Sequence, residues 1–235
     1  MKKLIITLAF VALSTVSVKA IDLGAFSLTA GAASNTGVFG ASATETNFND
    51  SGVLGAGGNN GHVHEESGVF SDSYTSSFIE LNVGEFISLG YEHTPDSITT
   101  PTNVDSEGLA HERSTFVDFN DLNTMYVKVN LPVGGLYLLA GTVETDMDIK
   151  ITGGTTTYAN KSVEGTITAA GFQKSIGESN FGIRAQASYM DFDNVTTTNQ
   201  AETATVANGG LNSVTADNLA GASAKIALTY TIGRN

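Results

Sequence analysis

The chain has 235 residues, including 26 Gly and 3 Pro but no Cys and no Trp, and its formal net charge is −13. The absence of Cys excludes a disulfide scaffold and a Cys-based metal site. The acidic balance argues against nucleic acid as a partner, because phosphates require a basic face. It also disfavours attachment to an anionic membrane surface through a basic patch.

The first predicted element is a cleaved export signal over residues 1–20. It begins with the positive sequence MKK, continues as an apolar stretch from Leu4 to Val16, and ends in VKA, which fits a cleavage site after Ala20. The apolar stretch is shorter than the roughly 20 residues of a membrane-spanning helix, and a buried N-terminal helix is the alternative. Because the signal holds three of the 11 basic residues and none of the acids, residues 21–235 carry a net charge of −16. We expect those residues to form a single domain.

Alternation of apolar and polar side chains then predicts β-strands along the rest of the chain. In residues 125–131, 181–189 and 222–232, one face of each predicted strand is apolar and the other is polar. In residues 137–151 the odd positions form the apolar face, the one that could meet lipid. The predicted strands are 23–34, 75–83, 86–93, 115–131, 136–149, 165–174, 181–192 and 220–232. No segment after residue 20 has the length and apolarity of a transmembrane helix.

The connections between these strands alternate in length. The short ones are 84–85, 132–135 and 175–180, and the long ones are 47–74, 94–114, 150–164 and 193–219. An up-and-down transmembrane barrel has this arrangement, with short periplasmic turns, long outer loops and an even number of strands. Because the first connection is long, both termini are expected on the periplasmic side.

The predicted fold is therefore all-β, a closed up-and-down antiparallel transmembrane β-barrel of eight strands. Only helices and closed barrels satisfy their own backbone hydrogen bonds in lipid. A count of ten strands stays open if residues 37–46 or 148–165 form an extra hairpin. The other alternative is a secreted soluble β-domain, which would bury its bulky face and turn its polar face outward.

The last predicted strand carries a further signal. Its apolar positions are Ile226, Leu228, Tyr230 and Ile232. Together with the export signal, the alternation and the loop asymmetry, this strand makes residues 21–235 resemble the small bacterial outer-membrane barrels of the opacity, outer-membrane protein A domain and outer-membrane protein X type. The resemblance implies contact with outer-membrane lipid and lipopolysaccharide. It also implies insertion by the barrel-assembly machinery, which reads a last strand that usually ends in an aromatic residue; here five residues follow Tyr230.

Charged residues recur in the middle of predicted strands, on the polar face. They are Glu80, Glu92, Lys128, Glu144, Arg184 and Lys225. Opposite charges that are packed inside a barrel can pair, so we predict a charge network in the lumen. The interior of an eight-stranded barrel is just wide enough to be filled by side chains. A wide aqueous channel is therefore not expected.

A metal site is conceivable at His62, His64 and Glu66. On an extended backbone these three side chains project to the same side, and two imidazoles with a carboxylate could hold Zn²⁺ or another divalent metal. The alternative is a solvated loop tip, because the glycine-rich residues 55–61 would not hold the three ligands in place.

No pattern of catalytic residues is recognisable. His93 and the run His111, Glu112 and Arg113 lie at or near a predicted loop, but their spacing matches no constellation of base, nucleophile and orienting group. The pairs Asp146 with Asp148 and Asp191 with Asp193 could bind Ca²⁺, although solvated strand ends are the simpler interpretation. We therefore expect no enzymatic activity and no cofactor.

The function expected from these patterns is a structural or surface-interaction role. Long acidic loops on a rigid barrel would face outward and could contact an extracellular partner. Two alternatives remain open at this point. One is a narrow pore for small solutes, and the other is a secreted soluble binding or adhesin protein.

Overall fold

The computed structural model describes residues 25–46, 63–105, 113–152, 158–198 and 213–233, although not the side chains of His64, Asp105 and Arg113. The predicted export signal, residues 1–20, lies outside this part of the chain and stays a prediction. Within the described ranges, no helix is long and apolar enough to cross a membrane.

Eleven β-strands make up the described part of the chain. They are β1 (Phe26–Thr46), β2 (Val63–Val83), β3 (Ile87–Thr94), β4 (Ile98–Thr99), β5 (Asn103–Asp105), β6 (Arg113–Asn130), β7 (Leu136–Thr152), β8 (Lys161–Ser175), β9 (Phe181–Phe192), β10 (Val195–Thr198) and β11 (Ser213–Ile232).

Eight of these strands form a closed antiparallel ring. Hydrogen bonds join them in the order β1-β2-β3-β6-β7-β8-β9-β11, and β11 pairs with β1 to close the ring, from Leu28 opposite Ile232 to Thr46 opposite Ser213. The short strands β4 and β5 pair with β6, and β10 pairs with β11. The predicted closed barrel of eight strands is confirmed.

The ten-stranded alternative is not observed in the described residues. Residues 37–46 lengthen β1 instead of forming a hairpin, and the described residues between 148 and 165 lengthen β7 and β8. The predicted start of the second strand at residue 75 is wrong, because β2 begins at Val63. Residues 63–74 belong to β2, because they pair with β1 along its whole outer half.

Three of the ring strands are much longer than lipid requires. A tilted transmembrane strand needs about 9–11 residues, whereas β1, β2 and β11 contain 21, 21 and 20. We call the end that carries the three short connections the turn end, and the opposite end the loop end. The half of the ring next to the turn end is the lower barrel, and the other half is the upper barrel.

In the lower barrel, polar side chains are buried in the interior and apolar side chains cover the exterior. The buried interior residues include Thr29, Asn35, Glu80, Ser88, Lys128, Arg184 and Thr229. The exposed apolar residues of the exterior include Ile79, Leu81, Ile87, Leu89, Met125, Val127, Val129, Leu138, Ile183, Ile226 and Leu228. We call this exterior the apolar belt; its polarity is the one required of a barrel wall in lipid.

In the upper barrel the polarity is inverted. The interior is a hydrophobic core that includes Phe39, Tyr74, Leu122, Val143, Met147, Val163, Met190, Phe192 and Leu219. The exterior exposes polar and acidic side chains, among them Ser73, Glu144, Asp146, Glu164 and Asp191. A wall that is polar outside and apolar inside is stable in water. The inversion therefore marks the level at which the barrel leaves the lipid.

Strand β7 crosses this level and corrects one prediction. Its odd positions, which the sequence pattern assigned to the face that could meet lipid, point into the barrel from Tyr137 to Met147. The exterior face is made of the even positions, which are apolar at Leu136 and Leu138 and acidic from Glu144 to Asp148. The odd positions are apolar near the loop end because they contribute to the upper core.

Candidate functional site in the barrel lumen

Glu80 is the centre of a buried charge cluster in the lower barrel. Strand β2 carries Glu80, β6 carries Lys128 and β9 carries Arg184, and alternation directs all three side chains inward. Lys128 Nζ and Arg184 Nη2 each lie 2.6 Å from Glu80 Oε2. Tyr126 donates its hydroxyl hydrogen to Glu80 Oε1 at 2.8 Å. Both carboxylate oxygens are thus satisfied by short bonds, two of them to cations.

The two cations of this cluster share a second acceptor. Gln173 Oε1 accepts from Arg184 Nε at 3.0 Å, from Arg184 Nη2 at 2.6 Å and from Lys128 Nζ at 3.3 Å. The Arg184 guanidinium also lies 4.4 Å from the ring centroid of Phe78 and 5.4 Å from that of Tyr137. A carboxylate, an amide oxygen and two aromatic faces therefore surround two buried cations.

A second charge cluster lies beside the first. Lys225 on β11 donates to Glu92 Oε2 on β3, so this ion pair reaches across the lumen. Ser76 Oγ donates to Glu92 Oε1 at 2.6 Å, and Asn35 Nδ2 donates to Ser76 Oγ at 3.0 Å. Phe78 stands between the two clusters, because Lys225 Nζ is 5.9 Å from its ring centroid.

Five of the six residues predicted for the lumen are brought together in these two clusters. The exception is Glu144, which is exposed on the exterior of β7 and accepts a hydrogen bond from Ser162 Oγ at 2.9 Å. The expectation that it lies in the lumen is wrong, because the even positions of β7 face outward. Sequence reasoning missed the neutral partners Tyr126, Gln173 and Phe78, although Tyr126 shares an alternation face with Lys128 and Phe78 shares one with Glu80.

The lumen is almost fully satisfied in its hydrogen bonds. Tyr137 donates its hydroxyl hydrogen to Gln186 Oε1 at 2.8 Å. Among the buried side-chain atoms that the structure describes, Gln186 Nε2 alone has no partner. A network this complete holds its side chains in one arrangement.

The hydrophobic core of the upper barrel fills the interior above the two charge clusters. The ring centroids of Phe39 and Phe70 are 5.5 Å apart, and those of Phe39 and Tyr74 are 6.3 Å apart. The cavity between Phe39, Phe119 and Leu219 measures about 20 Å³. That is room for about one water molecule. A solute that entered at the loop end would therefore meet packed side chains.

The residues of the predicted metal site are only partly described. His62 lies outside the described residues, and for His64 the backbone alone is described, in β2 opposite Glu45. Glu66 accepts a hydrogen bond from Asn103 Nδ2. Within the described ranges, no group of three or more His, Asp or Glu side chains could hold a metal ion. The metal site stays a prediction.

Two other sets of predicted residues lie on the exterior. Ile226 and Leu228 of the last strand point outward into the apolar belt, and the ring of Tyr230 lies 4.9 Å from that of Phe181. Near the loop end, Lys150 donates to Asp148, and this hydrogen bond raises the pKa of Lys150. Asp148 is thus paired with a cation of its own strand.

Comparisons with known proteins were made with both the sequence and the structure. No protein-family model matches the chain, and no curated protein matches its sequence. In structure it is similar to the outer membrane protein OprG from Pseudomonas aeruginosa, with 10% identity and a TM-score of 0.47 over 85% of this chain and 96% of that one. It is also similar to the outer membrane protein AlkL, with 13% identity and a TM-score of 0.42 over 85% and 90% of the two chains.

A third similar structure is Ail, the attachment invasion locus protein of Yersinia pestis, with 10% identity and a TM-score of 0.35 over 85% of this chain and 99% of that one. The fold itself follows from the strand pairing and the distribution of polarity. A closed ring of eight antiparallel strands, with ion pairs inside and an apolar belt outside, is the fold of a small outer-membrane β-barrel.

Proposed function

We propose that the chain is an integral outer-membrane protein with a structural and surface-contact role, and that it is not a conducting pore. The observation that carries this proposal is the filled lumen. Glu80, Lys128 and Arg184 close the lower barrel with buried ion pairs, and a hydrophobic core closes the upper barrel. An ion or solute could pass only if both layers rearranged.

The length of the strands supports a surface role. At about 3.3 Å per residue, β1 is roughly 65 Å long, and at a tilt of about 40° it spans roughly 50 Å of height. The apolar band of such barrels is about 25 Å tall. About half of the barrel therefore stands beyond the lipid as a rigid, water-facing wall. This wall would carry the acidic outer surface, while both termini would lie in the periplasm.

The partners of this wall follow from its charge. Its exposed carboxylates, such as those of Glu144, Glu164 and Asp191, repel the anionic phosphates of lipopolysaccharide at short range. They keep the projecting wall hydrated and clear of the lipid surface. An extracellular partner would be bound by the loops on top of this wall, where binding residues are commonly found. Folding into the membrane would require the barrel-assembly machinery.

Planar-bilayer recording tests the closed lumen. The purified wild-type barrel is expected to show no steady unitary currents. A variant that combines Glu80→Ala and Arg184→Ala in the lower barrel with Phe39→Ala and Phe70→Ala in the upper core opens both layers and is expected to conduct, which shows that the assay detects an open barrel of this size. Steady unitary currents from the wild type would overturn the closed-lumen proposal and favour the narrow pore.

Cell fractionation with protease treatment tests location and orientation. The protein is expected in the outer-membrane fraction, with heat-dependent migration on a gel and cleavage by added protease only in the long loops. A protein that stays in the soluble secreted fraction would instead support the alternative of a soluble binding protein. Cleavage in the short turns of intact cells would reverse the proposed orientation.

A further inference from the structure

Each of the three short turns exposes at least one large apolar side chain. Phe86, Val133 and Ile176 are 58%, 63% and 48% exposed. Turn tips in water are dominated by Gly, Pro, Asn, Asp and Ser. The geometry of these turns does not require an apolar residue, because neighbouring glycines at positive φ, such as Gly84 and Gly177, supply the unusual backbone conformation. An environment other than water would explain why an exposed apolar residue recurs in all three turns.

On two of the ring strands, β7 and β9, the apolar belt is too short for the bilayer. On β7 the uncharged exterior runs from Leu136 to Thr142, and Glu144 follows. That run is about 20 Å along the strand, and at a tilt of about 40° it gives about 15 Å of height. On β9 the run from Phe181 to Tyr189 gives about 20 Å by the same reasoning. Both fall short of the roughly 25 Å band of outer-membrane barrels.

Each turn residue adjoins the belt on a neighbouring strand, although on β8 itself the exposed Lys174 lies between Phe172 and Ile176. Phe86 is followed by the exposed Ile87, and Val133 lies between the exposed Leu131 and Leu136. Ile176 donates its backbone N–H to the carbonyl oxygen of Phe181 at 2.8 Å. Ile176 therefore lies beside the belt residue of β9 that is nearest to the turn end. The apolar exterior thus extends from the strands around the turn end.

We propose that the turn rim, which consists of Phe86, Val133 and Ile176, is embedded in lipid at the boundary between acyl chains and headgroups. This inference rests on the proposed membrane location. The charged neighbours Glu85 and Glu178 are exposed and mark the headgroup side of that boundary. On β7 and β9 the turn rim extends the belt at its turn end, so the barrel is flush with the lipid there and projects only at its loop end.

Single-tryptophan variants provide a direct test, because the chain contains no Trp. Phe86→Trp, Val133→Trp and Ile176→Trp would be refolded into phosphatidylcholine vesicles, with and without bromine atoms on the upper part of the acyl chains. Leu228→Trp in the apolar belt is the control in lipid, and Val69→Trp on the projecting part of β2 is the control in water. Heat-dependent gel migration confirms that each variant is folded, and Phe86→Trp keeps an aromatic residue in case the others fail.

The three turn variants are expected to emit at shorter wavelength than Val69→Trp and to be quenched by shallow bromine atoms. Bromine atoms placed deep in the chains should quench Leu228→Trp more than the turn variants. Water-like, unquenched emission from the turn variants beside a quenched Leu228→Trp would overturn the turn-rim proposal and leave the membrane location intact. If Leu228→Trp is also unquenched, the proposed function itself fails.

Discussion

At the scale of single residues, the lumen depends on one carboxylate more than on any other group. Glu80 compensates both Lys128 and Arg184, and all three side chains are almost completely buried. Removing one partner of a buried ion pair is strongly destabilising, because it leaves uncompensated charge in a poorly solvated place. Glu80 is therefore the residue at which the stability of the lower barrel is most sensitive.

We predict that Glu80→Gln lowers the free energy of unfolding by about 3–5 kcal/mol. The amide keeps the size of the side chain and can still accept from Tyr126, so the loss measures the charge. Urea unfolding in lipid vesicles, followed by heat-dependent gel migration, would give the value. Glu144→Gln is the matched control: it makes the same change on the exterior and should stay within about 0.5 kcal/mol. Equal stability of the two variants would refute the assignment of Glu80 as the centre of the network.

At the scale of the strands, glycines make room in the lumen for the aromatic rings of neighbouring strands. A Cβ atom added to Gly31 on β1 would lie 2.1 Å from the Phe78 ring of β2, and one added to Gly90 on β3 would lie 2.2 Å from the Tyr126 ring of β6. The glycine leaves the space in which the ring of the neighbouring strand lies across it. Phe78 can then face the Arg184 guanidinium.

Gly31→Ala is accordingly expected to destabilise the barrel by about 1–3 kcal/mol, because the new methyl group would displace the Phe78 ring. Gly68 on β2 is the control, since a Cβ atom added there meets nothing within 4 Å. There, Ala should be neutral or stabilising by up to about 1 kcal/mol, because Gly is unfavourable within a strand. The same unfolding measurement decides the point; a harmless Gly31→Ala would show that the ring has room to move.

The strands also show how far sequence reasoning reaches. Alternation predicted all eight ring strands and directed Lys128, Arg184 and Lys225 inward, because on β6, β9 and β11 the apolar face of the lower barrel is the exterior. The same rule failed for Glu144, since above the lipid the apolar face becomes the interior. The lower end of β7 held a clue, because Leu136 and Leu138 occupy the even positions that later become acidic.

The outer half of β2 could not be predicted for a related reason. Residues 63–74 contain Gly, Ser and acidic residues on both faces, so their pattern is that of a loop. They form a strand because their backbone pairs with β1, from Val63 opposite Thr46 to Tyr74 opposite Asn35. Tertiary pairing decides the conformation here, whereas local preference has little weight.

At the scale of the whole molecule, the inversion of polarity indicates that one continuous wall is surrounded by lipid in the lower barrel and by water in the upper barrel. Neighbouring strands leave the lipid at a level set by where the exterior turns polar and the interior turns apolar. Both interiors are filled, the lower by ion pairs and the upper by a hydrophobic core. The barrel therefore has no open channel through its described interior, and we place its function on its outer surfaces.

If the lower wall is in lipid and the upper wall is in water, the same substitution should have different effects on stability at two equally exposed positions. Ile226 and Val69 both point outward and are 71% and 74% exposed. Ile226 lies about 15 Å of height above the turn end, near the middle of the roughly 25 Å band, whereas Val69 lies about 35 Å above it. Ile226→Lys should therefore destabilise the barrel in vesicles by about 2–4 kcal/mol. Val69→Lys should change stability by no more than about 0.5 kcal/mol, because the new charge stays in water.

Comparing unfolding in lipid vesicles with unfolding in a short-chain detergent separates the cost of placing the lysine charge in lipid from a local packing effect. In detergent the apolar layer is thinner and more easily deformed, so the difference between Ile226→Lys and Val69→Lys should shrink while the wild type stays folded. Equal effects of the two lysines in vesicles would mean that both positions share one solvent. The level of the lipid boundary drawn from the inversion of polarity would then be wrong.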